Sequence, residues 1–369
     1  MNNYSEMPYS MRLSFQLLMI FLIGYFIYIG HGVLVPIYFA VLLSILLLPL
    51  SNFLERYLPK AMANLVTVIF AFILIAGIIY FLSSQISGFL KDSTAIRDHL
   101  TQHYYTIQNW VEAKFHISQE QQDVMISNAK ANVEKSGGIF IGQTFLTVTE
   151  AIFIVVLVTI YAFLILYYRA IIQRFLFQVF KRQDKEKVQE VMSESKHIIQ
   201  KYMVGLLIEM MVVAVLNSIV LFLIGIKYAI FLGLFAALLN IVPYIGIFSG
   251  MIFTVLVTLS TSASMNKIVW IIVGMEVIHF MDANFLMPRI VGSKVKINAL
   301  VTIIGVVIGG SLIGLPGIFL ALPTIAILKI IFERIDSLKP WGLLFSDDPD
   351  SLRRKMAVKV KNKTIQKPV

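Results

Sequence analysis

The feature that most constrains this chain is a succession of apolar segments, each long enough to cross a lipid bilayer. A transmembrane helix needs about 17–25 mostly apolar residues, because the hydrocarbon core is roughly 30 Å thick. Candidate segments lie at 12–30, 33–50, 62–84, 146–168, 204–226, 228–261, 267–287 and 297–335. Backbone polar groups in lipid must pair within their own segment, which favours helices. The sequence therefore predicts an all-α polytopic membrane protein with about eight membrane segments.

Composition supports this class and excludes several others. Apolar residues make up 58% of the 369 positions and charged residues 14%, whereas a soluble domain has about 45–50% and about 25%. The chain contains no cysteine. Disulfides, cysteine-ligated metals and cysteine nucleophiles are therefore excluded.

The distribution of Lys and Arg predicts the orientation. With both termini and the loop 169–203 in the cytoplasm, all but seven of the 31 basic residues lie on the inner side, as the positive-inside rule requires. The seven outer residues are Lys91, Arg97, Lys114, Lys130, Lys135, Lys227 and Lys267. The basic charge thus indicates contact with membrane lipid, and no base-reading motif accompanies it, so nucleic acid is not expected as a partner.

Five parts follow along the chain. They are three transmembrane helices at 1–84, an extracytoplasmic helical segment at 85–140, a fourth transmembrane helix with a basic amphipathic loop at 141–203, a transport core at 204–335, and a basic tail at 336–369.

His31 and Gly32 leave room only for a tight turn, which predicts a helical hairpin of the first two spans. In the extracytoplasmic segment, apolar residues at three- and four-residue steps predict an amphipathic helix, followed by a second helix near 119–135. His99 and His103 have metal-ligand spacing, but we interpret them as solvated histidines because no third ligand is near.

Two apolar segments in the last part are interrupted by glycine and proline. The first contains Pro243-Tyr244-Ile245-Gly246, and the second contains Gly309-Gly310-Ser311 and Gly314-Leu315-Pro316-Gly317. Such interruptions in a pair of spans indicate a transporter substrate site, because unwound backbone persists at membrane depth only where it lines a cavity. Either the two segments re-enter from opposite faces and their tips meet near the midplane, lining one polar cavity, or each half crosses fully. An ordinary kinked helix pair is the structural alternative.

The same region resembles the autoinducer-2 exporter family of bacterial membrane proteins. The resemblance rests on Leu239-Asn240-Ile241-Val242-Pro243-Tyr244-Ile245-Gly246 and on Asn284-x-x-Met287-Pro288-Arg289-Ile290-Val291-Gly292, with the late glycines in matching order. It implies a homo-oligomeric carrier of the bacterial inner membrane. Some members are tied to quorum sensing as exporters of a signal molecule, and others to sodium/proton antiport. Ile247 and Asn298-Ala299 depart from the family pattern, which bears on the substrate.

Ionisable side chains within spans are costly and therefore point to function. Glu276, His279 and Asp282 follow one another at three-residue steps on one helix face, and Glu209 lies within the fifth span. Glu276 is the deepest, so we expect it to carry a proton while Arg289 holds Asp282 ionised. The predicted pathway comprises Asn240, Pro243, Tyr244, Gly246, Ser249, Glu276, His279, Asp282, Asn284, Pro288, Arg289, Gly309, Gly310, Ser311, Gly314, Pro316, Gly317 and Glu209.

Enzyme functions find no support in the sequence. The phosphate-binding loop of ATP-driven pumps and the common peptidase and hydrolase motifs do not occur, and no cofactor or metal is predicted. The favoured hypothesis is a secondary transporter that moves a small polar molecule or metabolite out of the cell. A sodium/proton antiporter is the alternative within the same family, and a non-transporting membrane scaffold is the alternative outside it.

Overall fold

The computed structural model describes residues 8–91, 93–115, 118, 153–180, 185–240, 245–262, 264–292, 297–335 and 338–346. Over these ranges the chain is helical and has no strand, apart from an isolated antiparallel bridge between Ile297 and Ser346. Six of the helices there are long and apolar enough to cross a bilayer, and three shorter apolar helices accompany them. The all-α prediction is confirmed, while the predicted helix near 119–135 lies outside the described residues.

The helices are α1 Tyr9–Leu54, α2 Lys60–Lys91, α3 Ser93–Phe115, α4 Phe153–Val179, α5 Lys185–Leu223, α6 Ala229–Leu239, α7 Ile245–Thr261, α8 Met265–Met281, α9 Ala299–Ile313, α10 Leu315–Arg334 and α11 Lys339–Phe345. Two π-helical turns, Asp282–Leu286 and Pro288–Gly292, follow directly after α8. The chain forms two compact units. Unit 1 contains Met1–Asn64, Ile160–Met203 and Ser293–Val369, and unit 2 contains Leu65–Thr159 and Val204–Gly292.

Helix α1 overturns the predicted hairpin of the first two spans. It is one continuous helix of 46 residues that passes through His31 and Gly32, so the predicted tight turn is wrong. A glycine inside a helix costs only about 1 kcal/mol relative to alanine, which the apolar residues on either side outweigh. The His31 ring donates to the Tyr28 carbonyl at 2.7 Å, one turn earlier in the same helix. Residues 9–84 therefore belong to two helices instead of three.

Within the loop 169–203, α4 extends to Val179 and α5 begins at Lys185. In unit 1 the N-terminal part of α5 is tied to the end of α10. Arg334 donates to Glu190 at 2.8 Å and to Glu194 at 2.6 Å. A similar pair joins α4 to the end of α1, where Arg169 lies 2.5 Å from Glu55.

The amphipathic helix predicted after the third span is α3, and it packs against α7 within unit 2. His103 is only 4% exposed. Its Nε2 donates to the carbonyl oxygen of Ser262, just past the end of α7, at 2.7 Å. The prediction of a solvated histidine is therefore wrong for His103, which is a buried contact between the two helices.

Replacing His103 with alanine should loosen α3 from the end of α7. The substitution removes the ring and leaves the Ser262 carbonyl without its donor, which costs about 1–3 kcal/mol. Hydrogen–deuterium exchange should then become faster in 93–115 while α8 keeps its protection. His99→Ala, four residues earlier on the same helix, is the matched control, and equal exchange in both variants would contradict this contact.

The first interrupted segment folds into a helical hairpin of α6 and α7, which we call the first hairpin. The arms are antiparallel: the ring of Phe235 packs against that of Phe253 with centroids 4.5 Å apart and planes tilted by 42°, and Ala236 faces Gly250. Nearer the turn, a side chain at Gly246 would overlap the backbone of Leu239. Because α6 has 11 residues, it is only about 17 Å long and is too short to cross a bilayer.

The second interrupted segment is a hairpin of α9 and α10, the second hairpin, in unit 1. The chain reverses at Gly314, whose φ of +67° favours glycine, and Pro316 begins the next helix. Gly309 lies against the backbone of Gly317, and Gly305 faces Ile325. Both interruptions are therefore reversals of the chain, and the alternative of kinked continuous helices is wrong.

Gly309→Ala should destabilise the protein, because the added methyl group would collide with the backbone of Gly317 and force the hairpin arms apart. We expect a loss of about 1–3 kcal/mol, seen as a lower melting temperature of the purified protein. Gly32→Ala is the control, since the new methyl group meets nothing within 4 Å in α1. It should leave the melting temperature unchanged or slightly raised, and a large drop would contradict the continuous helix.

Candidate functional site

A polar cleft lies within unit 2, among α5, the first hairpin and α8. It has a cavity volume of about 30 Å³. Its lining comprises Val213, Asn217, Ala236, Asn240, Ile247, Met251, Met275, Glu276, Ile278, His279 and Asp282. Four of the residues predicted for the pathway, namely Asn240, Glu276, His279 and Asp282, therefore line one cleft. Among the residues that the structure describes, no Lys or Arg lines it.

Asp282, which lines the cleft, interacts with a second carboxyl group, that of Glu209, which does not belong to the lining. Glu209 of α5 is 6% exposed, and Asp282, which follows α8, is 4% exposed. Their side chains are near enough for hydrogen bonding and direct electrostatic interaction, and His279 adds a further electrostatic contact to Asp282.

Asn240 completes this group from the first hairpin. It lies directly after α6, at the C-terminal cap, and its Nδ2 donates to Asp282 Oδ2 at 3.0 Å. The sequence favours the end of α6 at this point, because Pro243 follows three residues later and cannot supply a backbone donor to a continuing helix.

Several polar atoms around the cleft are buried without a hydrogen-bond partner in the described part of the chain. They are Glu209 Oε2, Asn217 Oδ1, His279 Nδ1 and Asp282 Oδ1. A buried polar atom without a partner costs about 1–3 kcal/mol, so proteins rarely keep one without a use for it. Three of these residues line the cleft and Glu209 interacts with one of them, Asp282, which indicates a place where a proton, water or a polar solute is handled.

The backbone at Asp282 is itself unusual. Asp282 opens a π-helical turn, and a second π turn begins at Pro288. Such wide turns are uncommon and occur preferentially at functional sites. A π turn has more residues per turn than an α-helix, so the residues after Asp282 lie on other faces than a regular helix would give them.

Arg289 does not pair with Asp282, so that part of the prediction is wrong. Its guanidinium lies 6.0 Å from the centre of the Phe285 ring, and its side chain is exposed. The intervening π turn rotates Arg289 away from the face that carries Asp282. Asn284 is also exposed, donates to the Phe280 carbonyl of its own helix at 2.8 Å, and together with Pro288 lies outside the cleft lining.

Glu276 lines the cleft and its side chain is exposed, whereas Asp282 is buried, and the membrane depth predicted for Glu276 stays a prediction. The three-residue spacing correctly placed Glu276, His279 and Asp282 on one face. How deeply each side chain is buried depends on packing against α5 and α6, and the spacing of residues along one helix does not reveal that packing.

The remaining predicted residues fall into three groups. Pro243 and Tyr244 lie outside the described residues. Gly246 is buried near the turn of the first hairpin, while Ser249 lies on α7 outside the cleft lining. Gly309, Gly310, Ser311, Gly314, Pro316 and Gly317 belong to the second hairpin in unit 1, where Ser311 and Gly314 are exposed. That the two hairpin tips line one cavity stays a prediction.

Asn217 was missed by the sequence analysis. It is 5% exposed on α5, two turns beyond Glu209, and lines the same cleft. The signal that could have identified it is an amide side chain within an apolar helix. Polar side chains in membrane helices often form hydrogen bonds with a neighbouring helix.

Comparison with known proteins gives the family. The AI-2E family transporter model matches residues 16–337. The chain belongs to the AI-2E transporter family. This confirms the resemblance and places the chain among multi-pass membrane proteins of a transporter family.

Three relatives have names that describe them as inferred transport proteins. YueF of Bacillus subtilis strain 168 is 21% identical over 343 residues, 89% of this chain and 92% of its own. MT0215 of Mycobacterium tuberculosis strain CDC 1551 is 26% identical over 305 residues, 80% of each chain. YrrI of Bacillus subtilis strain 168 is 30% identical over 130 residues, which span 35% of this chain and 36% of that relative.

Proposed function

We propose that this AI-2E protein is a secondary transporter of the bacterial inner membrane that uses a proton gradient to move a small polar solute out of the cell. The observation that carries the proposal is the buried contact between Glu209 and Asp282. The two groups lie on separate helices. Binding of a proton between them therefore depends on how those helices are arranged.

Two carboxyl groups in contact in a poorly solvated site are most stable when they share one proton. Two negative charges at such a distance would repel strongly, since the protein interior screens charge far less than water does. The elementary step of proton coupling is the uptake of such a proton from one side of the membrane and its release to the other side. The buried pair therefore takes the role that the sequence analysis assigned to Glu276.

The chemistry of the cleft favours a neutral or cationic solute over an anion. Its polar side chains are carboxyls, amides and an imidazole, and the described part of the chain contributes no Lys or Arg to the lining. Asn217 Oδ1 and His279 Nδ1 have no partner among the described residues, so they are open to hydrogen bonds with hydroxyl groups. A small hydroxylated signal molecule, as the family resemblance implies, fits this pattern.

Two other functions remain as candidates. Sodium/proton exchange uses the same carboxyl pair for the proton and replaces the solute with an ion. A non-transporting scaffold needs no unpaired polar atoms inside its membrane helices, and these atoms are costly, which counts against it. We also propose that the protein is a homo-oligomer, as the family resemblance implies.

Proton-gradient-driven efflux should depend on the carboxyl pair. Proteoliposomes loaded with autoinducer-2, a small hydroxylated signal, should release it faster under an inward proton gradient. Glu209→Gln and Asp282→Asn keep size and hydrogen bonding but cannot release a proton, so the gradient-driven rate should fall roughly tenfold or more.

Matched controls exist for both substitutions. Glu186→Gln changes an exposed glutamate on the cytoplasmic part of the same helix, and Asp98→Asn changes an exposed aspartate on α3. Both should retain gradient-driven efflux. If wild-type efflux ignores the proton gradient but follows a sodium gradient, sodium/proton exchange replaces the proposal, and absence of any flux favours the scaffold.

The proposed orientation places residues 85–140 outside and the C-terminus inside. A cysteine introduced at position 110 should react with an impermeant maleimide added to whole cells, because the opposite orientation would violate the positive-inside bias. A cysteine at Tyr57, which is exposed between α1 and α2, should react only after the membrane is opened. The reverse pattern would overturn the orientation.

The side of the N-terminus depends on how α1 meets the membrane. The sequence-based expectation of a cytoplasmic N-terminus required two crossings before residue 54, whereas a continuous helix that crosses once puts Tyr9 opposite Tyr57. A cysteine at Ser10 distinguishes the two. Reaction from outside indicates a single crossing, and reaction from inside supports the sequence-based expectation.

A further inference from the structure

The hydrogen bond between Asn240 and Asp282 joins two parts of unit 2 that the sequence separates by 42 residues. Asn240 is the residue that caps α6, immediately before the turn of the first hairpin, and its Nδ2 donates to Asp282 Oδ2 at 3.0 Å. Asp282 opens the first π turn after α8. The end of the hairpin is thus held directly by a carboxyl group of the proposed proton site.

The strength of this bond depends on the charge of Asp282. An amide that donates to an ionised carboxylate makes a bond about twice as strong as one between neutral groups. The other polar groups that face Asp282 are Glu209 from α5 and His279 from its own helix, and Glu276 lines the same cleft. From α7 the lining consists of Ile247 and Met251, which offer no competing hydrogen bond.

The first hairpin is built to respond as a unit. Its arms pack through Gly246 and Gly250 with backbone against backbone, which holds α6 and α7 together. On the other side of the bond, the π turn interrupts the regular helical ladder, so the backbone at Asp282 is less constrained than in an α-helix. A change in one side-chain contact can therefore be passed to the whole end of the hairpin.

We propose that Asn240 is the positioning residue that couples protonation to movement of the first hairpin. With Asp282 ionised, Asn240 holds the end of the hairpin against the cleft. Protonation of Asp282 weakens that bond, and the end of the hairpin moves away and opens the cleft beside Ile247. This mechanism rests on the proposed function, because it assigns to the same carboxyl pair a structural consequence of taking up a proton.

The test measures how accessible the hairpin is as the pH changes. Ile247→Cys, placed beside the turn and lining the cleft, is reacted with a small maleimide in full-length protein in lipid nanodiscs. Because thiol reactivity itself varies with pH, rates are divided by those of Tyr57→Cys, an exposed reference site. The normalised rate should rise several-fold as the pH falls.

Substitutions at the bonded pair then identify the cause. Asp282→Asn keeps a carbonyl acceptor but cannot titrate, so the normalised rate should no longer vary with pH. The exchange Asn240→Asp with Asp282→Asn restores an amide–carboxyl pair with the roles reversed, and should restore the pH response. Each variant must have the melting temperature of the wild-type protein. If a single variant loses the pH response only because it folds poorly, the double exchange would not restore that response.

The outcomes separate this inference from the proposed function. If Asp282→Asn abolishes proton-driven efflux while Ile247→Cys follows the reference site at every pH, the hairpin mechanism is wrong and the proton site stands. A pH response that persists in Asp282→Asn also overturns the mechanism. If efflux is unaffected by Asp282→Asn, the proposed function itself fails.

Discussion

Close backbone packing at glycine is the contact on which the arrangement of the candidate site depends. In the first hairpin, Gly246 and Gly250 let α7 fold back on α6 with almost no space between the chains. A side chain at either position would push the arms apart and move Asn240, which follows α6 directly. The position of one amide beside Asp282 is therefore set by contacts several residues away that contain no polar group.

The second constraint is the cost of polar groups at membrane depth. Glu209, Asn217 and Asp282 are each more than nine-tenths buried, and each keeps an oxygen without a partner in the described ranges. A fold selected only for stability would replace them with apolar residues. Asn217 and Asp282 line one cleft and Glu209 interacts with Asp282, and we propose that these residues serve a task that needs an open hydrogen-bonding position.

Much of the fold follows from the sequence because its signals are local. Apolar length predicts the helices, and the Gly/Pro interruptions predict where α6 ends and where Gly314 reverses the chain. The turn at His31 and Gly32 was predicted wrongly, since a single glycine fits inside a helix and the length of a span does not define its ends. Within the site, three-residue spacing correctly aligned Glu276, His279 and Asp282.

What the sequence could not provide is the set of neighbours from other helices. Glu209 is 73 positions from Asp282, and nothing in either segment indicates that they meet. The same applies to Asn217, and to His103, which is buried only because α3 packs on the end of α7. Local sequence patterns also do not predict the π turns, which rotate Arg289 away from Asp282. Burial of a polar side chain is a property of the assembled helices, so it becomes visible only in the structure.

The central claim is that Glu209 and Asp282 hold one proton between them. Infrared difference spectroscopy of the purified protein in lipid, recorded while the pH is stepped, detects the carbonyl stretch of a protonated carboxyl group directly. The proposed site predicts a titrating carboxylic-acid band that disappears in Glu209→Gln and in Asp282→Asn and persists in Glu186→Gln. A band that survives in both variants of the buried pair, or no such band in the wild-type protein, would contradict it.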